Sequence, residues 1–167
     1  KRCKRIFVSS LDYARQASLA SLLVAHPERV QELPFGIDTE IFSRGPSQRE
    51  RFELPPNHPL FLFVGGLDRA HAFKGIHPLI QAFARLDGSP HLVIRGHGDL
   101  RGLYEEEMLR VNIRDRVHFV PRLSQTELRN LYRSVDVFVF PSTSRAEAFG
   151  LVALEAQSCG LPVIASD

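Results

Sequence analysis

From Pro59 onward the chain alternates short apolar runs, rich in β-branched and aromatic residues, with longer amphipathic stretches. No other feature constrains the fold as strongly. A strand followed by a helix and then another strand needs a crossover, and crossovers make parallel sheets. The spacing predicts strands over 59–65, 90–96, 116–121, 135–141 and 161–166, and helices at about 75–86, 99–111, 124–134 and 149–158. Ile76, Leu79, Ile80, Phe83 and Leu86 recur every three or four positions and mark one buried stripe. Right-handed crossovers in series give an open α/β parallel sheet with helices on both faces. Such sheets bind ligands beyond the carboxyl ends of their strands, so chemistry is expected in the polar loops after the first four.

The first 43 residues follow another pattern. A strand (RIFVSS), a helix near 12–25 and a short strand (VQELPFGI) lead into SRGPSQRERFELPPNH, a stretch rich in proline and charge. The expected organisation is the tail of an upstream domain over 1–43, an interdomain linker over 44–58, and a sheet domain over 59–167 that lacks a covering helix at its end. With 44% hydrophobic residues over 167 positions the chain supports one good core. The net charge is +2 and the basic residues are scattered, which excludes a nucleic-acid stripe. KRCKR at 1–5 is the one dense basic cluster, either a solvated terminus or a contact for an anionic membrane surface. Cys3 and Cys159 are isolated and show no metal spacing, which fits a reduced, cytoplasmic setting with no disulfide. No run reaches the ~18 apolar residues of a membrane span.

The polar loops hold the candidate chemistry. After the first strand of the sheet, GGLDRAHAFKGI places Gly65 and Gly66 where backbone can approach a ligand. Lys74 stands at a helix start, where a cation and free amides both suit a phosphate. Asp68, Arg69 and His71 also read as local turn chemistry. GHGDLRG after the second strand brings Gly96 and Gly98, with Asp99 as the expected N-cap. Ser124 and Glu127 sit at capping-box spacing, while Arg122 faces either ligand or solvent. The last loop is richest. A helix beginning near Phe149 would leave the amides of Phe149, Gly150 and Leu151 as unpaired donors at its positive end. Glu147 precedes them, and Glu155 lies ~9 Å further along the axis. Glu155 has mostly apolar neighbours, which implies a partner for its carboxylate. Cys159 reads as a small packed residue rather than a nucleophile.

Taken in order, LPFGIDTEIF, GGLDRAHAFKGI, the Gly96–Gly98 loop, LRNLYRSVDVFVFPS and EAFGLVALE followed by GLPVIASD resemble the retaining GT-B glycosyltransferases often called family 4. The resemblance covers about 29–167, and the seven residues between Glu147 and Glu155 match that family's two-glutamate motif. It implies a Rossmann-like sheet, the C-terminal half of a GT-B fold, with a remnant of the N-terminal domain. It further implies a nucleotide-sugar donor held without metal or other cofactor, and a glycan or lipid-linked acceptor taken by the N-terminal domain. By resemblance Glu155 holds the ribose, Glu147 the transferred sugar, and Lys74 with the amides of Phe149 to Leu151 the diphosphate. Glu147 and Lys74 are then the catalytic pair, and Arg122 and Leu123 lie beside the base. The family usually has Gly-Arg where this chain has Gly65 and Gly66, so Arg69 is expected to substitute as the second cation. This stretch by itself is expected to bind donor without transferring sugar. In the full-length protein, peripheral contact with the inner membrane face remains open.

Three other readings compete. A dinucleotide-dependent oxidoreductase needs GxGxxG after the first strand and an acid closing the second, and neither occurs. A nucleotide-sugar epimerase shares the two-domain fold, and a non-catalytic interaction module needs only the fold.

Overall fold

The computed structural model describes residues 3–144, 147 and 149–166. By internal contacts the chain divides into Lys1–Ile37 with Ala148–Leu151, and Asp38–Glu147 with Val152–Asp167.

In the first unit, strand β1 (Ile6–Val8) leads to helices α1 (Leu11–Gln16) and α2 (Ala20–Ala25). Strand β2 (Val30–Glu32) then pairs parallel with β1, Ile6 opposite Val30. Ser10 caps α1 by accepting from the Tyr13 amide at 3.3 Å. The single helix expected near 12–25 is thus two. Ala14 is buried, and carrying its stripe forward by four and seven residues would turn Ser18 and Ser21 inward. The chain instead becomes extended at Ala17 and leaves both serines exposed.

The second unit is built on strands β3 (Leu60–Val64), β4 (His91–Arg95), β5 (Val117–Val120), β6 (Val137–Phe140) and β7 (Val163–Ala165). Between them run α3 (Ile76–Phe83), α4 (Arg101–Arg110), α5 (Gln125–Tyr132) and α6 (Leu151–Ser158). The sheet order is β5-β4-β3-β6-β7 and every pairing is parallel. Each expected strand and helix of this unit is present, shorter at its ends by no more than two residues except α3, which stops three residues early, at Phe83.

Two apolar layers hold it. On one face of the sheet Ile76, Leu79, Ile80 and Phe83 pack with Leu92 and Ile94. Full burial of each such side chain contributes about 1.5–3 kcal/mol. Leu86, expected in the same stripe, lies beyond the end of α3 and is 43% exposed. On the other face Tyr132 stands edge-on to both Phe138 and Phe42. The proline-rich stretch before β3 belongs to this unit and is tied to it. Arg49 donates to Asp136 Oδ1 at 2.6 Å and to the Ser134 carbonyl at 3.0 Å, and Arg133 donates to the Ser43 carbonyl at 2.6 Å. Among the described residues, no helix is long and apolar enough to cross a membrane.

Candidate functional site

From β3 the chain steps to β4 and β5 on one side, then returns across the sheet to β6 and β7 on the other. The direction therefore switches between β3 and β6, the place where open α/β sheets bind ligands at the carboxyl ends of their strands. The loops that bound it follow β3 and β6, and they carry Lys74 and Glu147.

These two loops are stitched together. Thr143 donates its amide to the Phe73 carbonyl at 2.8 Å. Gly75 takes a left-handed conformation, φ 75°, and a Cβ there would stand 1.8 Å from the Pro141 carbonyl oxygen. Only glycine lets the loops approach so closely. Gly65 serves the same end, since a Cβ would meet Lys74 Cδ at 2.8 Å. Lys74 consequently lies flat across Gly65, and its Nζ reaches Glu147 Oε2 at 2.5 Å. Both side chains are mostly buried, 17% and 16% exposed, so each neutralises a charge that would otherwise be costly.

The second acid has a different setting. Glu155 sits on α6 and accepts from the Tyr132 hydroxyl at 2.9 Å. Burial pushes its carboxyl above the usual range, opposed by the Tyr132 hydrogen bond and the positive charge of Arg95. Burial likewise pushes the Tyr132 hydroxyl well up, so it stays protonated and donates. Among the described residues no hydrogen bond or ion pair joins Glu155 to Lys74 or Glu147.

The remaining expected residues fall in the following places. Gly96 follows β4, and a Cβ there would lie 2.3 Å from the Gly65 carbonyl oxygen, so the first two loops also touch. Gly66 lies under the His71 ring, where a Cβ would meet Nδ1 at 2.6 Å. Arg69 is exposed at the start of the 3-10 turn Arg69–Lys74. That turn is capped by Asp68, which accepts from the His71 amide and faces its ring. The hydrogen bond to His71 holds the Asp68 carboxyl below its ordinary value, and both residues are local turn chemistry. Arg122 is exposed and Leu123 half-buried, just ahead of a complete capping box between Ser124 and Glu127. Cys159 is buried, and burial raises its thiol above the ordinary value, as suits a packed residue.

Two expectations need correction. Helix α6 begins at Leu151, not Phe149, because Gly150 takes φ 71° and starts the helix only after itself. Of the three amides expected at the positive helix end, Leu151 alone belongs to the first turn. Phe149 and Gly150 group with the first unit, where Phe149 stands edge-on to Phe35 with ring centroids 5.4 Å apart. Asp99 is likewise not the cap of α4, which starts at Arg101. Backbone bonds turn the chain there instead, Leu100 to the Leu67 carbonyl and Arg101 to that of Gly98.

Sequence reasoning missed Tyr132 and Arg95. Tyr132 carries no local signal of its partner, since an aromatic on an amphipathic helix is by default a packing residue. Arg95 had a visible signal, a charge closing an otherwise apolar strand.

The strand order and the doubly covered sheet define the C-terminal half of a GT-B fold. The sequence model of the family described as Glycosyl transferases group 1 matches residues 46–167, and the chain belongs to that family. It is 35% identical over 169 residues to the D-inositol 3-phosphate glycosyltransferase of Mycobacterium marinum, covering 97% of this chain and 34% of that one. The enzyme of the same name from Xylanimonas cellulosilytica is 38% identical over 160 residues, covering 89% and 37%. The chain thus spans about a third of the length of the curated relatives it matches. Among solved structures, sucrose-phosphate synthase from Thermosynechococcus elongatus superposes with TM-score 0.78 at 31% identity, over 95% of this chain and 39% of that one. Anabaena HepE in complex with UDP superposes with TM-score 0.80 at 24% identity, over 97% and 44%, a likeness of fold.

Proposed function

We propose that this chain is the donor-binding part of a retaining glycosyltransferase that uses a nucleoside diphosphate sugar. The observation that carries the reading is the Lys74–Glu147 pair, held at 2.5 Å across the switch point by loops that glycines bring together. A diphosphate binding there takes Lys74 from Glu147. The freed carboxylate then accepts hydroxyls of the transferred sugar. Cleavage of the bond between the sugar's anomeric carbon and the diphosphate oxygen leaves negative charge on that oxygen. Lys74 and the first-turn amides of α6 are fixed donors for it, and stabilise the transition state more than the bound ground state. Glu155 holds the ribose. Gly65, Gly66 and Gly96 let the loops pack closely enough to form the ligand's wall, Arg69 adds a second cation, and Arg122 and Leu123 flank the base. On this reading the charge is met by protein donors, and no metal is required.

The relatives are named for D-inositol 3-phosphate, and one neighbour in fold was solved with UDP. Family membership supports the reaction class, and the acceptor side is proposed to be a glycan or a lipid-linked sugar. A cytoplasmic enzyme, in peripheral contact with the membrane where the acceptor is a lipid, fits that role. Titration of the chain with UDP, GDP, ADP and NAD tests the donor reading. At least one nucleoside diphosphate should bind, EDTA should not change its affinity, and Lys74→Ala should weaken it about tenfold, or ~1.4 kcal/mol. Arg69→Ala without effect beside a weakened Lys74→Ala removes Arg69 from the site. Indifference to all four ligands defeats the reading.

A further inference from the structure

Arg95 is the last residue of β4, at the carboxyl edge of the sheet. Its Nε is buried without a hydrogen-bond partner, and among the described residues no acceptor meets any part of the guanidinium. A buried guanidinium N–H with no acceptor is uncommon in a folded protein, because an unmade buried hydrogen bond carries a desolvation penalty, and the rest of this side chain is only half-buried. Its electrostatic neighbours are Glu155 and Tyr132. Three elements thus converge here: β4 brings Arg95, α5 brings the fully buried Tyr132, and α6 brings Glu155.

The carboxylate of Glu155 is half committed. Tyr132 holds Oε2, while Oε1 has no hydrogen-bond partner among the described residues. No ion pair joins Glu155 to Arg95. An acceptor and a donor fork therefore stand near each other without meeting. A vicinal diol is complementary to that arrangement, since each hydroxyl donates through hydrogen and accepts through oxygen.

We propose that Arg95 and Glu155 together grip the ribose diol of the nucleotide, Glu155 accepting the hydroxyl protons and Arg95 donating to the hydroxyl oxygens. This rests on the donor-binding reading above and adds to it a ligand contact on β4. Tyr132 is the positioning residue. It fixes one carboxylate oxygen and so aims the other. Burial raises the Glu155 carboxyl, and the Tyr132 hydrogen bond and the Arg95 charge oppose that shift.

The test compares a nucleoside diphosphate with its 2′-deoxy counterpart, using whichever of UDP, GDP and ADP binds the chain most tightly. The wild-type chain should prefer the ribose form tenfold or more. In Arg95→Met the ribose form should weaken and the preference fall to threefold or less. Arg95→Lys, which keeps charge without the fork, should lie between the two, and it carries the comparison if Arg95→Met does not fold. Equal weakening of both ligands in Arg95→Met, or no weakening of either, makes Arg95 a structural residue and overturns the proposal. If no nucleoside diphosphate binds the wild-type chain, the donor-binding reading falls and this inference with it.

Discussion

The two edges of the five-stranded sheet are built on opposite terms. At the amino edge His58, His91 and His118 form a row, with ring centroids 4.7 and 5.1 Å apart. His91 Nδ1 is hydrogen-bonded to His118 Nε2 at 2.8 Å, and His58 Nδ1 faces the Ser89 carbonyl at 2.8 Å. There the polar groups meet one another. At the carboxyl edge Arg95 Nε lacks an acceptor and half-buried Glu155 accepts through one oxygen from the Tyr132 hydroxyl, while Lys74 and Glu147 hold each other. One edge is satisfied, and the other keeps capacity for a ligand. A protein tolerates unmet polar groups where they serve binding, and stability is spent there.

Glycine substitutions should separate the edges most sharply. Gly75 and Gly88 both have positive φ, 75° and 81°. A Cβ at Gly75 strikes the Pro141 carbonyl at 1.8 Å, whereas at Gly88 the nearest atom is Pro90 Cδ at 3.9 Å. Gly75→Ala is expected to cost about 3 kcal/mol or more and to abolish nucleotide binding. Gly88→Ala should cost about 1 kcal/mol from backbone strain alone and leave binding intact. Denaturant melts of the two variants check this, and equal losses would remove the contrast.

Next in size is the effect at Glu155. Its folded carboxyl titrates above its unfolded value, so the group contributes stability below the ordinary range near 4.5 that is lost as pH rises through the folded value. Above that value the buried carboxyl therefore burdens the fold. Glu155→Gln should raise the melting temperature at pH 7 while weakening nucleotide affinity about tenfold or more. A variant that lost both stability and affinity would mark Glu155 as structural.

The histidine row should respond to acid in the opposite sense. Burial lowers His91 and His118, with the charges of His118, His58 and Arg116 acting on His91, and Arg114 on His118. Their stabilising contribution is fully present above the ordinary value of 6.5, and falls as pH drops through that value, because the unfolded chain takes up protons the folded one resists. Thermal melts from pH 7.5 to 5.5 should show this loss, and His118→Gln should flatten the slope. A wild-type melting temperature unchanged over that range would show the row to be neutral to folding.

The smallest effect distinguishes the two glutamates. Glu147→Gln releases Lys74 from its ion pair, so affinity for the bare nucleoside diphosphate should rise about threefold, roughly 0.6 kcal/mol. Calorimetric titration of both variants decides the matter. A fall in both would mean that Glu147 holds Lys74 in place rather than competing for it.

The sequence by itself determined the order and kind of every strand and α-helix in the sheet unit, because apolar periodicity is a local property that survives burial on both faces; the 3-10 turns carry no such period. It also determined Lys74, Glu147 and Glu155 as the residues to watch, since polar groups beside glycines and carboxylates among apolar neighbours stand out along one dimension. The break between α1 and α2 is written in Ser18 and Ser21, which a continued stripe would turn inward, whereas the start of α6 at Leu151 came from the backbone at Gly150, which no pattern of side chains encodes. Only the tertiary structure decided the partners. Lys74 and Glu147 lie 73 positions apart, and meet because the strand order reverses between β3 and β6. Arg95, Tyr132 and Glu155 come from three elements, and the environment that perturbs a carboxylate is set by what folds around it rather than by what precedes it in the chain.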